Sequence, residues 1–126
     1  MILPDTNIFI LGLSRSNSTI SQLLAKWIEN NEVVLSTIVI AEYLSKCEDQ
    51  EAKRFSELFD YCQIIDVNLA VAKTAGAFRK KYLGGRKTIP LADCLIAAQC
   101  KISQTSLATL NPHDFPIPEI SVFQPK

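Results

Sequence analysis

Four acidic residues stand in settings where a carboxylate can do chemistry. Asp5 follows the apolar opening Met1-Ile2-Leu3-Pro4 and precedes Thr6-Asn7. Glu42 is the single acid in the apolar run Ile38-Val39-Ile40-Ala41-Glu42-Tyr43-Leu44. Asp93 lies near the start of a small, apolar stretch, Leu91-Ala92-Asp93-Cys94-Leu95-Ile96-Ala97-Ala98. Asp114 follows Asn111-Pro112-His113 and precedes Phe115. Each also has an ordinary explanation. Asp5 suits a helix N-cap, and Glu42 suits an ion pair. Asp93 suits a first helical turn, where the macrodipole favours an anion, and Asp114 suits a turn begun by Asn-Pro. Taken together they mean more. Carboxylates in apolar surroundings need a partner or a cation, and clustered ones titrate upward unless a cation sits among them. Oxygen-only ligands suit a hard ion, Mg²⁺ or Mn²⁺, which retains several waters. One such ion orients and acidifies a water and neutralises a phosphodiester, and a second would stabilise the leaving oxygen.

Other chemistries find less support. The four cysteines, Cys47, Cys62, Cys94 and Cys100, form no C-x-x-C pair, and His113 is the only histidine. That disfavours a zinc site and reads as free thiols in a reducing compartment. The glycines Gly12, Gly76, Gly84 and Gly85 form no G-x-G-x-x-G, which disfavours a dinucleotide site. A phosphatase with an aspartyl nucleophile after the first strand would usually carry a second Asp two positions on, where this chain has Asn7. The 13 basic and 13 acidic residues cancel, so binding of nucleic acid by bulk charge is disfavoured, though a local basic rim is not. Arg79, Lys80, Lys81, Arg86 and Lys87 precede the Asp93 stretch and would form such a rim.

The elements that must position these residues alternate between strand and helix. Residues 1–3 read as a strand and 8–13 as an apolar helical stretch, with a polar break at 14–18. A helix then begins at Thr19, with capping-box spacing to Gln22 and an apolar face of Leu23, Leu24, Trp27 and Ile28. Residues 33–35 predict a strand, and Ser36 or Thr37 would cap a helix over 38–47. A charged helix follows over 50–61, a strand over 64–67, and a helix from Asn68 to about residue 83, stopped by Gly84-Gly85. Pro90 opens a helix to about residue 103, followed by a strand over 105–110 and an edge strand over 120–123. This alternation predicts an α/β domain, residues 1–126, whose short, mostly parallel sheet is covered by helices on both faces. Functional groups then gather beyond the carboxyl ends of the strands, where Asp5 and Asn111 both emerge. No run approaches the ~18 apolar residues of a membrane span, and the opening lacks the pattern of a signal peptide. A cytoplasmic protein is expected.

These segments resemble the ordered motifs of PIN-domain nucleases over essentially the whole chain. The motifs are Asp5-Thr6-Asn7, Ala41-Glu42, the stretch from Leu91 to Ala98, and Leu107-Ala108-Thr109-Leu110-Asn111-Pro112-His113-Asp114-Phe115. The likeness is greatest to VapC-type toxins of toxin–antitoxin pairs. It implies a PIN-like three-layer sandwich and a Mg²⁺- or Mn²⁺-dependent endoribonuclease acting on single-stranded or loop RNA. It also implies a homodimer and a short inhibitory antitoxin. By the same resemblance Asp5, Glu42 and Asp93 are acidic metal-site residues, Thr6 adds a hydroxyl, and Asn7 braces the first loop. Family members differ at the fourth acid, which falls at Asn111 or at Asp114. Asp114 is expected to fill it, because it carries the charge, while Asn111, held extended before Pro112, shapes the loop. The alternatives are a degenerate PIN fold that only binds RNA or protein, and an aspartate-dependent phosphatase.

Overall fold

The apolar opening pairs as a parallel strand and delivers the chain directly into a helix. In the computed structural model, which describes residues 1–14, 18–85 and 88–126, β1 (Ile2–Pro4) leads through Asp5 into α1 (Thr6–Gly12). Then come α2 (Thr19–Glu29), β2 (Val34–Ser36), α3 (Thr37–Leu44), α4 (Asp49–Ser56) and a 3-10 turn (Glu57–Asp60). The second half runs β3 (Gln63–Ile65), α5 (Leu69–Lys81), α6 (Leu91–Ser103), β4 (Ser106–Ala108), a 3-10 turn (Pro112–Asp114) and β5 (Val122–Phe123). None of the helices among the described residues is long and apolar enough to cross a membrane.

Every strand pairing among the described residues is parallel: β1 with β4, β4 with β5, and β2 with β3. A single parallel bridge, Ile2 to Val33, joins the two groups into the order β3-β2-β1-β4-β5. The carboxyl ends of β1, β2 and β4 therefore lie along one edge, as the alternation predicts.

Two apolar clusters hold the helices to this sheet. The larger unites Leu3, Leu35 and Leu107 of the strands with Phe9, Leu24, Val39, Tyr43 and Phe55. In it Phe55 meets Phe9 edge-on at 5.2 Å and Tyr43 at 4.3 Å between ring centroids, so α1, α3 and α4 converge on one aromatic knot. Such pairs add about 0.5–1.5 kcal/mol each beyond their buried area. The smaller cluster joins Val71, Ala75 and Phe78 of α5 to Cys94, Ala97 and Ala98 of α6. Because Ile96 and Cys100 belong to the first cluster and Cys94 and Ala97 to the second, α6 is buried on both sides. That explains its small, apolar composition. At Gly12 an added Cβ would come within 2.6 Å of the Leu24 side chain, so glycine there lets α1 and α2 approach closely.

Several boundaries differ from expectation, each for a local reason. The first helix starts at Thr6 rather than residue 8, because the Asp5 side chain accepts the Thr6 N–H and caps it. Ser18, not Thr19, caps α2, accepting from Ser21 N at 3.1 Å. The segment expected as one helix over 50–61 is α4 followed by a 3-10 turn, and its start carries the Glu48–Glu51 capping box. Ser36 rather than Thr37 caps α3, and Asn68 caps α5 as expected. All four cysteines are free. Cys94 and Cys100 are buried, and burial pushes the Cys100 thiol up to about 12, well outside the range of a reactive thiolate.

Candidate active site

Asp5 is the centre of a hydrogen-bonded cluster at the carboxyl edge of the sheet. Its backbone N–H donates to Ala108 O at 2.8 Å, pinning the exit of β1 to the exit of β4. One carboxylate oxygen accepts from Thr6 N at 2.8 Å, and the other accepts from the Thr109 hydroxyl at 3.1 Å. The buried Thr6 hydroxyl donates to Glu42 Oε2 at 3.1 Å. Thr6 thus links the start of α1 to α3 and brings the first two predicted acids into one network. Beside Glu42, Tyr43 anchors α3 in the aromatic knot, which fixes the direction from which Glu42 approaches.

Electrostatics identifies further members. Burial raises the pKa of Asp5 above the ordinary carboxylate value, opposed by the hydrogen bonds from Thr6 and Thr109. The charge of Asp114 raises it further, and that of Lys46 lowers it. Asp114, at the end of the 3-10 turn Pro112–Asp114, is therefore close enough to act on Asp5. Asn111 is exposed; its N–H donates to the Thr109 hydroxyl at 3.2 Å and its carbonyl accepts from Asp114 N at 3.0 Å. Asn111 is a loop-forming residue in this arrangement. Asp93 is half-buried in the first turn of α6, and Asn7 is exposed in the first turn of α1.

These acids do not close into a cage. Among the described residues, no group of three or more His, Cys, Asp or Glu side chains is gathered closely enough to enclose an ion. The donor set is nonetheless all oxygen, with one carboxylate desolvated and repelled by another. Such a set suits a hard divalent ion that keeps much of its water shell better than zinc, which favours thiolate and imidazole, and it does not fit a soft metal.

The basic run divides in the structure. Lys80 is exposed, whereas Lys81 Nζ pairs with Glu119 at 3.1 Å, beside a Tyr82 hydroxyl that also donates to Glu119 at 2.6 Å. Arg79 is half-buried, with its Nη1 buried and without a hydrogen-bond partner among the described residues. Arg86 and Lys87 lie outside the described residues.

A family model described as PIN domain matches residues 2–116. The chain belongs to the PIN-domain family. This PIN domain is 27% identical over 117 residues to Ribonuclease VapC10 of Mycobacterium tuberculosis, covering 93% of the chain and 87% of that protein. Its fold matches a chain of VapBC2 from Rickettsia felis, solved bound to a DNA fragment from their promoter, with a TM-score of 0.82. There the identity is 24%, and both chains are covered completely. It also matches a toxin–antitoxin complex from Klebsiella pneumoniae with a TM-score of 0.78 and 25% identity, covering 100% of this chain and 98% of that one.

Sequence reasoning did not select Thr109 or Lys46. Thr109 carries a weak local signal, as a polar residue ending an apolar strand. Lys46 carries none, since only the fold brings its charge near Asp5. Thr109 is buried and holds both Asp5 and the Asn111 loop. Thr109→Val is expected to lower stability by about 1–3 kcal/mol, the usual cost of stranding buried polar groups. It also removes a hydrogen bond that lowers the Asp5 pKa, so Asp5 should protonate at higher pH. The acid limb of the pH–rate profile should move upward, and thermal unfolding with a pH series checks both effects.

Proposed function

We propose that this PIN domain is a divalent-metal-dependent endoribonuclease and the toxin of a toxin–antitoxin pair. The observation that carries the reading is the cluster around Asp5: a desolvated carboxylate at the sheet edge, linked through Thr6 to Glu42 and subject to the charge of Asp114. Asp5, Glu42, Asp93 and Asp114 would hold Mg²⁺ or Mn²⁺. The ion, when bound, supplies an acidified water and neutralises phosphodiester charge. Thr6 and Thr109 keep Asp5 oriented, and Lys46 limits the repulsion among the acids. Lys80 and Arg79, with Lys81, Arg86 and Lys87 along the same run, would grip the phosphates of an RNA strand. The ribonuclease relative and the toxin–antitoxin neighbours support RNA as substrate and a short antitoxin as inhibitor. A homodimer in the reducing cytoplasm completes the reading.

The open spacing of the acids favours one other reading, a PIN-fold module that binds RNA or a protein without cutting it. Offering the protein single-stranded RNA, DNA of the same sequence and a simple phosphate monoester, each with Mg²⁺, separates the cases. Internal cuts confined to RNA support the nuclease, and retention of uncut RNA supports the binding module. Release of inorganic phosphate would identify a phosphatase.

The fourth acid is Asp114 in this reading, with Asn111 shaping its loop. Asp114→Asn is expected to weaken metal affinity or activity by about 10–100-fold, as changes around a metal's ligands do. Asn111→Ala should mainly lower stability. Wild-type activity and Mn²⁺ affinity in Asp114→Asn, with their loss in Asn111→Ala, would reverse the assignment.

A further inference from the structure

We infer that Gln99 is a positioning residue for the proposed cleavage site, setting the helix that carries Glu42 against the helix that carries Asp93. The inference rests on the nuclease reading above. Gln99 is a polar side chain only 1% exposed, in the middle of the doubly buried α6. Its two amide atoms have different partners. The Ser36 hydroxyl donates to Oε1, and Nε2 donates to the Ile65 carbonyl at 3.2 Å. Ser36 ends β2 and Ile65 ends β3, and the two residues are register partners. A single amide therefore fastens α6 to the carboxyl ends of two adjacent strands.

The Ser36 hydroxyl does a second job. It accepts from Ile38 N at 3.1 Å and Val39 N at 3.4 Å, which caps α3. The oxygen that starts the Glu42 helix is thus the same oxygen that holds Gln99. Glu42 lies six residues beyond Ser36, and Asp93 six residues before Gln99. The amide spans the pair of helices between the two acids.

Stability alone is a weak reason for an amide here. A satisfied buried hydrogen bond contributes only about 1 kcal/mol net, and an apolar residue of the same shape can do as well. What the amide adds is direction: its acceptor end faces the Ser36 hydroxyl and its donor end the Ile65 carbonyl, and reversing the amide would break both bonds, which holds α3 and α6 to one relative setting. Sites held open by few ligands need such support, because small displacements cost large factors in rate.

The test compares Gln99→Met with Val71→Ala, a substitution in the second apolar cluster that borders Gln99 and Ile65 but takes no part in the hydrogen bonds of Gln99. Thermal unfolding, Mn²⁺ affinity by electron paramagnetic resonance, and kcat and KM for RNA are measured on each. Gln99→Met is expected to lose about tenfold in Mn²⁺ affinity and about 10–100-fold in kcat, with KM for RNA within about twofold. Val71→Ala should lose stability without losing kcat or Mn²⁺ affinity. Wild-type kcat and Mn²⁺ affinity in Gln99→Met, or losses no greater than those of Val71→Ala, would overturn the inference. If Gln99→Met does not fold, Gln99→Asn carries the same test and the same expected direction. It keeps the neutral amide but draws it back by one methylene from Ser36 and Ile65. If the wild-type protein binds Mn²⁺ but cuts no RNA, the nuclease reading fails alone, and the affinity difference still decides the role of Gln99. If it neither binds nor cuts, both fall.

Discussion

Asp5→Asn is expected to reduce RNA cleavage by about 10³-fold or more in kcat, because several kcal/mol of metal-borne stabilisation would be lost and each 1.36 kcal/mol is a factor of ten. The protein should stay folded. The asparagine oxygen can still accept from Thr6 N, so the cap on α1 survives, and the Thr109 hydroxyl can rotate to accept from the new amide. The sign of the stability change separates a functional acid from a structural one. Burial and Asp114 raise the Asp5 pKa in the folded protein. The stability Asp5 contributes is therefore fully present below the ordinary carboxylate value and is lost as pH rises through the raised one. Without metal, Asp5→Asn should equal or exceed the wild type in Tm at neutral pH, and the difference should vanish in acid. A large fall in Tm at neutral pH would make Asp5 structural. Glu42→Gln and Asp93→Asn should also abolish most cleavage with the fold intact by circular dichroism.

Chelation is expected to bring cleavage to background, and readdition of Mg²⁺ or Mn²⁺ to restore it. The acids around Asp5 repel, so an ion among them should stabilise the fold as well as complete the site. At a free ion concentration about 100 times its Kd, the gain is about 2.7 kcal/mol. It should be greatest at neutral pH and shrink in acid as Asp5 takes up a proton, the reverse of the trend in the metal-free protein. Thermal unfolding with and without Mn²⁺ across pH measures this without any substrate. A Tm indifferent to Mn²⁺ at every pH would contradict a metal site at these carboxylates.

The element order was legible because apolar periodicity and caps speak locally. Of the apolar face expected on α2, Leu24 and Trp27 are buried and Leu23 and Ile28 half-buried, with Ile20 completing the buried side, and Asn68 marks the start of α5. Boundaries were less legible, since several turn on one side-chain hydrogen bond, such as Ser18 to Ser21 N or Asp5 to Thr6 N. Candidate acids stand out in the sequence where a carboxylate sits against its own composition, as Glu42 and Asp93 do. The site was illegible where the partner is remote. The Thr109–Asp5 bond spans 104 residues, and the apolar run before Gln99 hints at burial without revealing its partners, Ser36 and Ile65, which lie 63 and 34 residues away. The run from Arg79 to Lys87 reads as one patch, but the fold gives Arg79, Lys80 and Lys81 different surroundings.

Incubating a defined single-stranded RNA with the purified protein decides whether this PIN domain cuts RNA with a metal at Asp5. Internal cuts are expected that need Mg²⁺ or Mn²⁺, stop in excess EDTA, return when the ion is restored, and are missing with Asp5→Asn. Cleavage undiminished by EDTA, or cleavage by Asp5→Asn at the wild-type rate, would contradict a metal-dependent cut at Asp5.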